Sequence, residues 1–242
     1  MTKTVLITGA SRGIGRATAR RFGEAGWRVA VHYHNSEEQA RTLFQELGEG
    51  AMLVRADVSD PVQVQEMVER VVERFGRLDA LVCCAGMDQP LCVTQDVTDA
   101  LWRQLFAVNV DGVFYAVRAA LPHMIRAQSG RIITISSMWG QVGGACESAY
   151  SATKGAVIAF TKALAQEVGP SHITVNCIAP GCIDTDMMAH IDPETRDWLA
   201  EETPVSRMGK PEEVAAAALF LAGEEAAFVT GQVLGVNGGF VI

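Results

Sequence analysis

A run near the N-terminus, TVLITGASRGIGRATARRFGEAG, restricts the fold more than any other part of the 242-residue chain. Val5, Leu6 and Ile7 read as an apolar strand, Gly9, Gly13 and Gly15 as a turn, and the residues that follow as a helix. Glycine lets backbone come close to a phosphate, and a helix N-terminus adds unpaired N–H donors and the positive end of the helix dipole. The spacing is Gly-xxx-Gly-x-Gly rather than the commoner Gly-x-Gly-x-x-Gly, so the turn alone also suits an ordinary tight strand-to-helix connection. Its place at the head of a βα series favours the nucleotide reading.

The rest of the chain continues the alternation. Strand-like segments fall at 4–8, 28–33, 52–55, 79–83, 131–136, 173–178 and 232–236, and helical periodicity at 13–25, 36–48, 61–75, 97–106 continuing to about 127, 149–168 and 211–221. This pattern predicts an α/β fold: a doubly wound, mostly parallel seven-stranded sheet with helices on both faces. No linker or repeat divides it, so residues 1–242 form a single domain. Ligands of such sheets sit at the carboxyl ends of the strands. The residues that fall there are Gly9, Asp57, Ala85, Gly86, Ser137, Pro180 and Gly181.

Composition excludes several classes of function. With 20 Lys+Arg against 28 Asp+Glu and a net charge of −8, neither a nucleic-acid nor an anionic-membrane surface is expected. No apolar stretch is expected to reach the ~18 residues that span a bilayer, and no signal peptide precedes the first strand, so a cytoplasmic protein is expected. Cys83, Cys84, Cys92, Cys146, Cys177 and Cys182 form no Cys-x-x-Cys pair and read as reduced thiols, several of them in apolar strands. His32, His34, His123, His172 and His190 lack zinc-ligand spacing, and Asp184 with Asp186 reads as a solvated loop pair, so no metal is expected.

The run SAYSATKGA places Tyr150 four residues before Lys154, with Ser137 thirteen residues upstream of the tyrosine. Residues four apart share a helix face, so the ammonium should lie beside the phenol. Bringing a tyrosine from a pKa near ~10 to ~7 takes roughly 4 kcal/mol of preference for the phenolate. One cation at about 4 Å in an effective dielectric of ~20 supplies about that much. The pair therefore reads as a neutral-pH acid/base, with a surface tyrosine beside a solvated lysine as the alternative.

TGASRGIG (8–15), ADV (56–58), CAG (84–86), VNV around Asn109, ISS (135–137), YSATK (150–154) and NCIAPGCIDT (176–185) together resemble the short-chain dehydrogenase/reductase family, in order and over essentially the whole chain. The ending VLGVNGGFVI and the segment PVSRMGKPEEVA are similar, within it, to the 3-oxoacyl-acyl-carrier-protein reductases. The resemblance implies a Rossmann-type fold and a catalytic set of Asn109, Ser137, Tyr150 and Lys154. Tyr150 would protonate the carbonyl oxygen and Ser137, chosen over Ser136 by family spacing, would hydrogen-bond it. Lys154 would lower the Tyr150 pKa and bind the nicotinamide ribose, and Asn109 would complete a proton relay; a plainer reading has its amide satisfy backbone at a helix kink.

For the cofactor, the resemblance assigns Gly9, Ser11, Arg12, Ile14 and Gly15 to the phosphates, Asp57 and Val58 to the adenine, and Ala85 and Gly86 to the ribose. Thr185 would hold the carboxamide, in a loop with Pro180, Gly181 and Ile183. Cys83 and Cys84 stand where the family commonly has two asparagines, and they read as buried packing. NAD-specific members usually carry an acidic residue where this chain has Tyr33, so NADPH is expected over NADH, with Arg12, Ser11 and His34 near the 2′-phosphate.

Further implications are a homotetramer paired through helices 100–127 and 149–168, and a substrate lid over 184–207. The substrate is expected to be a 3-oxoacyl thioester, with another hydrophobic ketone or secondary alcohol as the alternative. A non-catalytic scaffold would have no need of all four catalytic positions. An acyl carrier protein is a possible partner, although Gln128 and Ser171 replace arginines that such reductases often carry. Arg126 and Arg131 are expected near the pocket mouth, along with Met87, Met138, Trp139, Met187, Met188 and Trp198.

Overall fold

The structure, a computed structural model, describes residues 2–188 and 191–242, so His190 and the side chain of Met187 lie outside the described residues. Seven strands, β1 (Thr4–Thr8), β2 (Arg28–Tyr33), β3 (Ala51–Arg55), β4 (Ala80–Cys83), β5 (Gly130–Ile135), β6 (Ile173–Pro180) and β7 (Val233–Val236), make one sheet in the order β3-β2-β1-β4-β5-β6-β7. Every neighbouring pair is parallel. The order reverses between β1 and β4, which opens a crevice at their carboxyl ends.

Both faces are covered, which is why β1, β4, β5 and β6 are buried along their whole length. One face packs on α3 (Pro61–Phe75), α5 (Gly112–Ala127) and α7 (Ser148–Val168) through residues such as Leu6, Leu81, Ile132, Met67, Val117 and Val157. The other packs on α1 (Gly13–Glu24), α2 (Glu37–Leu47) and α9 (Pro211–Ala222) through Val5, Val82, Phe22, Leu43 and Val214. Helix α3 shows how local sequence sets the bounds. Asp60 accepts hydrogen bonds from the Val62 and Gln63 amides, Pro61 opens the first turn, and Gly76 ends the helix at φ +77°. Its apolar residues Val64, Met67, Val68, Val71 and Phe75 form a single buried stripe.

Two short elements escape the expected pattern, α6 (Trp139–Val142) and α8 (Pro193–Glu202). Helix α4 (Asp99–Phe106) runs into α5 through a π-turn at Ala107–Asp111, giving 29 continuous helical residues from Asp99 to Ala127. Against expectation, that helix is long and apolar enough to cross a membrane by length and composition. It is a core helix here: Val113, Ala116, Val117, Ala120 and Met124 are buried in the sheet-facing cluster.

Gly9 turns the chain at φ +66°, and a Cβ there would stand 2.8 Å from the Ala85 Cα and 2.9 Å from its nitrogen. Gly26 has a similar φ of +79° with nothing within 4 Å of such a Cβ. Gly26→Ala should therefore cost only its backbone strain, whereas Gly9→Ala adds a backbone clash and should lose about 1–3 kcal/mol. Thermal unfolding of the two variants side by side measures the difference; equal midpoints would contradict the close packing of the two loops.

Candidate active site at the carboxyl ends of the strands

The residues expected to act converge on the crevice between β1, β4 and β5. Gly9 N–H donates to His32 Nδ1 at 2.9 Å, and a Cβ on Gly15 would lie 2.2 Å from Gly9 O, so the loop can close only with glycine at both places. Ser11 is buried within it, while Arg12 is exposed and precedes α1 with its side chain making no capping bond. Across the crevice, a Cβ on Gly13 would come 3.5 Å from Thr185 Cγ2, so the loop after β6 faces the glycine turn. That loop starts at Pro180 and Gly181 and is anchored by buried Ile183, which bridges to Gly209. Ala85 N–H donates to Thr8 Oγ1 at 3.1 Å, tying the end of β4 to that of β1.

Beyond β3, Asp57 Oδ1 accepts from both the amide and the hydroxyl of Ser59. Burial opposes its ionisation, but these bonds and His34, 3.9 Å away, hold the carboxyl below its usual range. Val58 is buried beneath, and Arg55 Nε donates to His34 O at 3.2 Å. Tyr33 is buried at the end of β2, and no carboxylate occupies that position.

Tyr150 and Lys154 lie in the first turns of α7, and Ser137 just beyond β5. Lys154 is buried; its Nζ donates to Ile135 O at 3.0 Å and sits 5.5 Å from the centroid of the Tyr150 ring. Ser136 Oγ donates to Lys154 O at 2.8 Å, which commits that hydroxyl to packing and leaves Ser137 to interact with the phenol. Asn109 occupies the π-turn and is 1 % exposed. Its Oδ1 accepts from Met87 N–H, and its Nδ2 donates to Met87 O and Thr153 Oγ1. A Cβ on Gly86 would meet Asn109 Oδ1 at 3.2 Å and Lys154 Nζ at 3.6 Å, so these groups border one small space.

The electrostatics differ from the expectation that Lys154 brings the phenol to neutral pH. Burial pushes the Tyr150 phenol well above its ordinary range, and the Ser137 bond opposes this only in part. Burial also lowers the Lys154 ammonium to about 8. Desolvation is the largest cause in both groups, and the nearby Glu147 and Asp88 carboxylates push the phenol further in the same direction.

Other expectations are corrected by position. Arg131 is buried at the start of β5 beside Glu224, and Arg126 lies in the last turn of α5, so both sit at the opposite edge of the sheet from the crevice. Met138 is buried beneath α6 rather than at the mouth. Cys83 and Cys84, by contrast, pack in the two core clusters as expected, and burial raises both thiols, Cys84 to about 12. Asp184 pairs with Arg196 of α8. A 370 Å³ cavity near Trp27 and Arg28 is likewise at the amino edge, away from these groups.

Sequence reasoning missed His32, Arg55, Gln89 and Thr153. His32 is 1 % exposed, with Nδ1 facing the Gly9 amide and Nε2 facing Ala56 O at 3.0 Å. These partners fix a neutral ring with its proton on Nε2, joining the glycine turn after β1 to the chain that follows β3. Burial lowers its pKa from 6.5 to about 4. The unfolded chain takes up this proton first, so stability is full above pH 6.5 and falls by about 3 kcal/mol on acidification to about pH 4. Urea unfolding between pH 7 and 4.5 should show this slope, and His32→Gln should flatten it; an unchanged slope would remove His32 as its source.

Comparison with known proteins places these observations. The family model described as "Enoyl-(Acyl carrier protein) reductase", of the adh_short_C2 type, matches residues 9–241. The chain is 39 % identical over 242 residues to 3-oxoacyl-(acyl-carrier-protein) reductase FabG of Staphylococcus aureus, covering 99 % of this chain and 98 % of that one. It is 38 % identical over 240 residues to cis-4-hydroxycyclohexanecarboxylate dehydrogenase of Sinomonas cyclohexanicum, with 98 % and 96 % covered. Among solved structures, ElxO with NADP bound superposes with a TM-score of 0.93 at 33 % identity, covering 99 % of both chains, and a Tyr→Phe variant of ElxO with NADPH bound does equally well.

Proposed function

The chain belongs to the short-chain dehydrogenase/reductase family and is an oxidoreductase, and from that premise we propose that it reduces a 3-oxoacyl thioester to the 3-hydroxyacyl form with NADPH. The observation that carries this reading is the meeting of Ser137, Tyr150 and Lys154 beside a glycine cradle. Gly9, Gly15 and Gly86 let the loops at the crevice pack closely on one another, and a glycine turn that leads into the N-terminus of α1 suits a dinucleotide phosphate. NADPH supplies the hydride when bound.

In this reading the phosphates lie against Gly9, Ser11, Arg12, Ile14 and Gly15, the adenine against Asp57 and Val58, and the ribose against Ala85, Gly86 and Lys154. Thr185, Pro180, Gly181 and Ile183 enclose the nicotinamide, and segment 184–207, including α8 with exposed Trp198, acts as a lid. Tyr150 gives its proton to the carbonyl oxygen while the Ser137 hydroxyl donates a hydrogen bond to the same atom. Burial that holds the phenol protonated suits this direction. The Lys154 ammonium, although lowered by burial, stabilises negative charge forming beside it. Asn109 holds Met87 and Thr153, and through Thr153 the Tyr150 carbonyl, in position for a proton relay.

A dehydrogenase or reductase of another hydrophobic alcohol or ketone is the second reading, supported by the cis-4-hydroxycyclohexanecarboxylate dehydrogenase relative at nearly equal identity. Carrier docking has little support from this chain's own mouth, because Arg126 and Arg131 face away from it. We therefore propose weak dependence on the carrier. A cytoplasmic homotetramer fits the six unpaired thiols and the exposed Trp102, Phe114 and Ile125 on α4 and α5.

A panel of a 3-oxoacyl thioester on coenzyme A and on carrier protein, a cyclic ketone and a diketone, followed by NADPH absorbance, tests the substrate. Thioesters should be favoured, with the coenzyme A form within roughly tenfold of the carrier form; turnover of the cyclic ketone alone would establish the second reading.

Tyr150→Phe should keep NADPH binding and lose more than about nine-tenths of turnover, whereas Lys154→Ala should lose both. Fluorescence titration and steady-state rates together separate these outcomes, and an active Tyr150→Phe enzyme would move the acid elsewhere. The basic groups at Arg12, His34 and Arg55, with no carboxylate at Tyr33, should make kcat/KM higher for NADPH than for NADH. Equal or better efficiency with NADH would refute that preference.

A further inference from the structure

We propose that Cys92 and Cys146 form a thiol–disulfide modification site that fastens two loops beside the Tyr150 helix. Cys92 lies between β4 and α4, and Cys146 in the turn between α6 and α7. The Cys92 amide donates to the Cys146 carbonyl at 3.1 Å. A direct backbone bond of this kind holds two Cα atoms about 5–6 Å apart, inside the roughly 4.4–6.8 Å that a disulfide spans. The Cys92 sulfur is turned toward the junction, since Gln89 Nε2 is 3.5 Å from Cys92 Sγ and 3.0 Å from Cys146 O. Cys146 is exposed and Cys92 partly so. Burial raises the other four thiols, Cys83, Cys84, Cys177 and Cys182, which makes them poor rivals in exchange.

Gln89 connects this pair to the candidate acid. It is 1 % exposed, and its Oε1 accepts from the amides of both Ala149 and Tyr150 at 3.0 Å, in the first turn of α7. One buried amide thus holds Cys92, Cys146, Ala149 and Tyr150 together. Cys146 sits at φ +62°, a left-handed conformation that costs a non-glycine residue energy. A disulfide would take the Cys92 sulfur from Gln89 and shift the Cys146 carbonyl, and Gln89 passes that shift to Tyr150.

The exchange uses a low-molecular-weight disulfide such as glutathione disulfide. The exposed Cys146 thiolate attacks it, forming a mixed disulfide and releasing one glutathione. The Cys92 thiolate then attacks the Cys146 sulfur and releases the second. Two protein thiols are oxidised, one small disulfide is reduced to two thiols, and the cysteine protons end on glutathione.

The effect on turnover rests on the reductase reading above, whereas bond formation does not. The full-length protein is incubated with glutathione disulfide, then followed by intact mass, peptide mapping and carbonyl-dependent NADPH oxidation, before and after dithiothreitol. Expected is the mass loss of one hydrogen pair, a Cys92–Cys146 crosslink, and a turnover decrease of roughly threefold or more that dithiothreitol reverses. Cys92→Ser and Cys146→Ser should each retain reduced-state activity and form no internal bond. A glutathione adduct at Cys146 with Cys92 still free, or pairing among other cysteines, would overturn the site. A crosslink with unchanged turnover would overturn the coupling through Gln89.

Discussion

Two hydrogen bonds of opposite sense join the end of β5 to α7, and the geometry of the crevice depends on them. Lys154 Nζ donates to Ile135 O, and one residue further along the chain Ser136 Oγ donates to Lys154 O. The lysine is thereby gripped at both its head and its backbone. Gly140 makes this possible, because a Cβ there would lie 2.6 Å from Ser136 Oγ and 2.7 Å from the Lys154 carbonyl carbon. With α7 locked to the sheet, Tyr150 has one position relative to Ser137, and the rest of the site is arranged around that pair.

The same grip explains the charge state of the crevice. A buried ammonium whose contacts are a carbonyl oxygen and an aromatic face keeps only part of the solvation it loses, so its affinity for a proton falls. The phenol beside it is desolvated as well and moves the other way. Each group is thus biased toward neutrality in the isolated protein. Charge balance at this point depends on what enters the crevice, not on the tyrosine–lysine pair alone.

Much of this architecture is legible in the sequence because the inner strands are buried on both faces and carry apolar runs such as residues 5–7 and 29–31, which mark β1 and β2. Helix α3 is equally plain, since Asp60, Pro61 and Gly76 mark its ends chemically. Helix α6 is a single turn with no periodicity to read, and α8 buries only Leu199, so neither stands out from its loop. Family resemblance alone distinguishes Ser137 from Ser136 in the sequence; the tie from the Ser136 hydroxyl to Lys154 O is a contact between residues 18 apart, which no local pattern reports. His32 and Gln89 leave no local trace, because each serves backbone groups 23 to 61 residues away. The direction of the Tyr150 shift is hidden for a related reason: a helix spacing reports that two groups are neighbours but not how deeply both are buried.

The π-turn at Ala107–Asp111 also governs the register of everything after it. An α-helix advances about 100° per residue, so one residue accommodated in a widened turn sets the rotational phase of the following helix. Upstream, the phase puts Leu105 in the core; downstream, it turns Val113, Ala116, Val117 and Ala120 toward the sheet while Asn109 faces Gly86 and Lys154. A one-residue deletion in this segment could relax it to a regular helix only by turning one of these faces away. The bulge thus acts as a phase adjuster between two helices that must each meet the sheet, and it ties the length of this segment to both the core and the crevice.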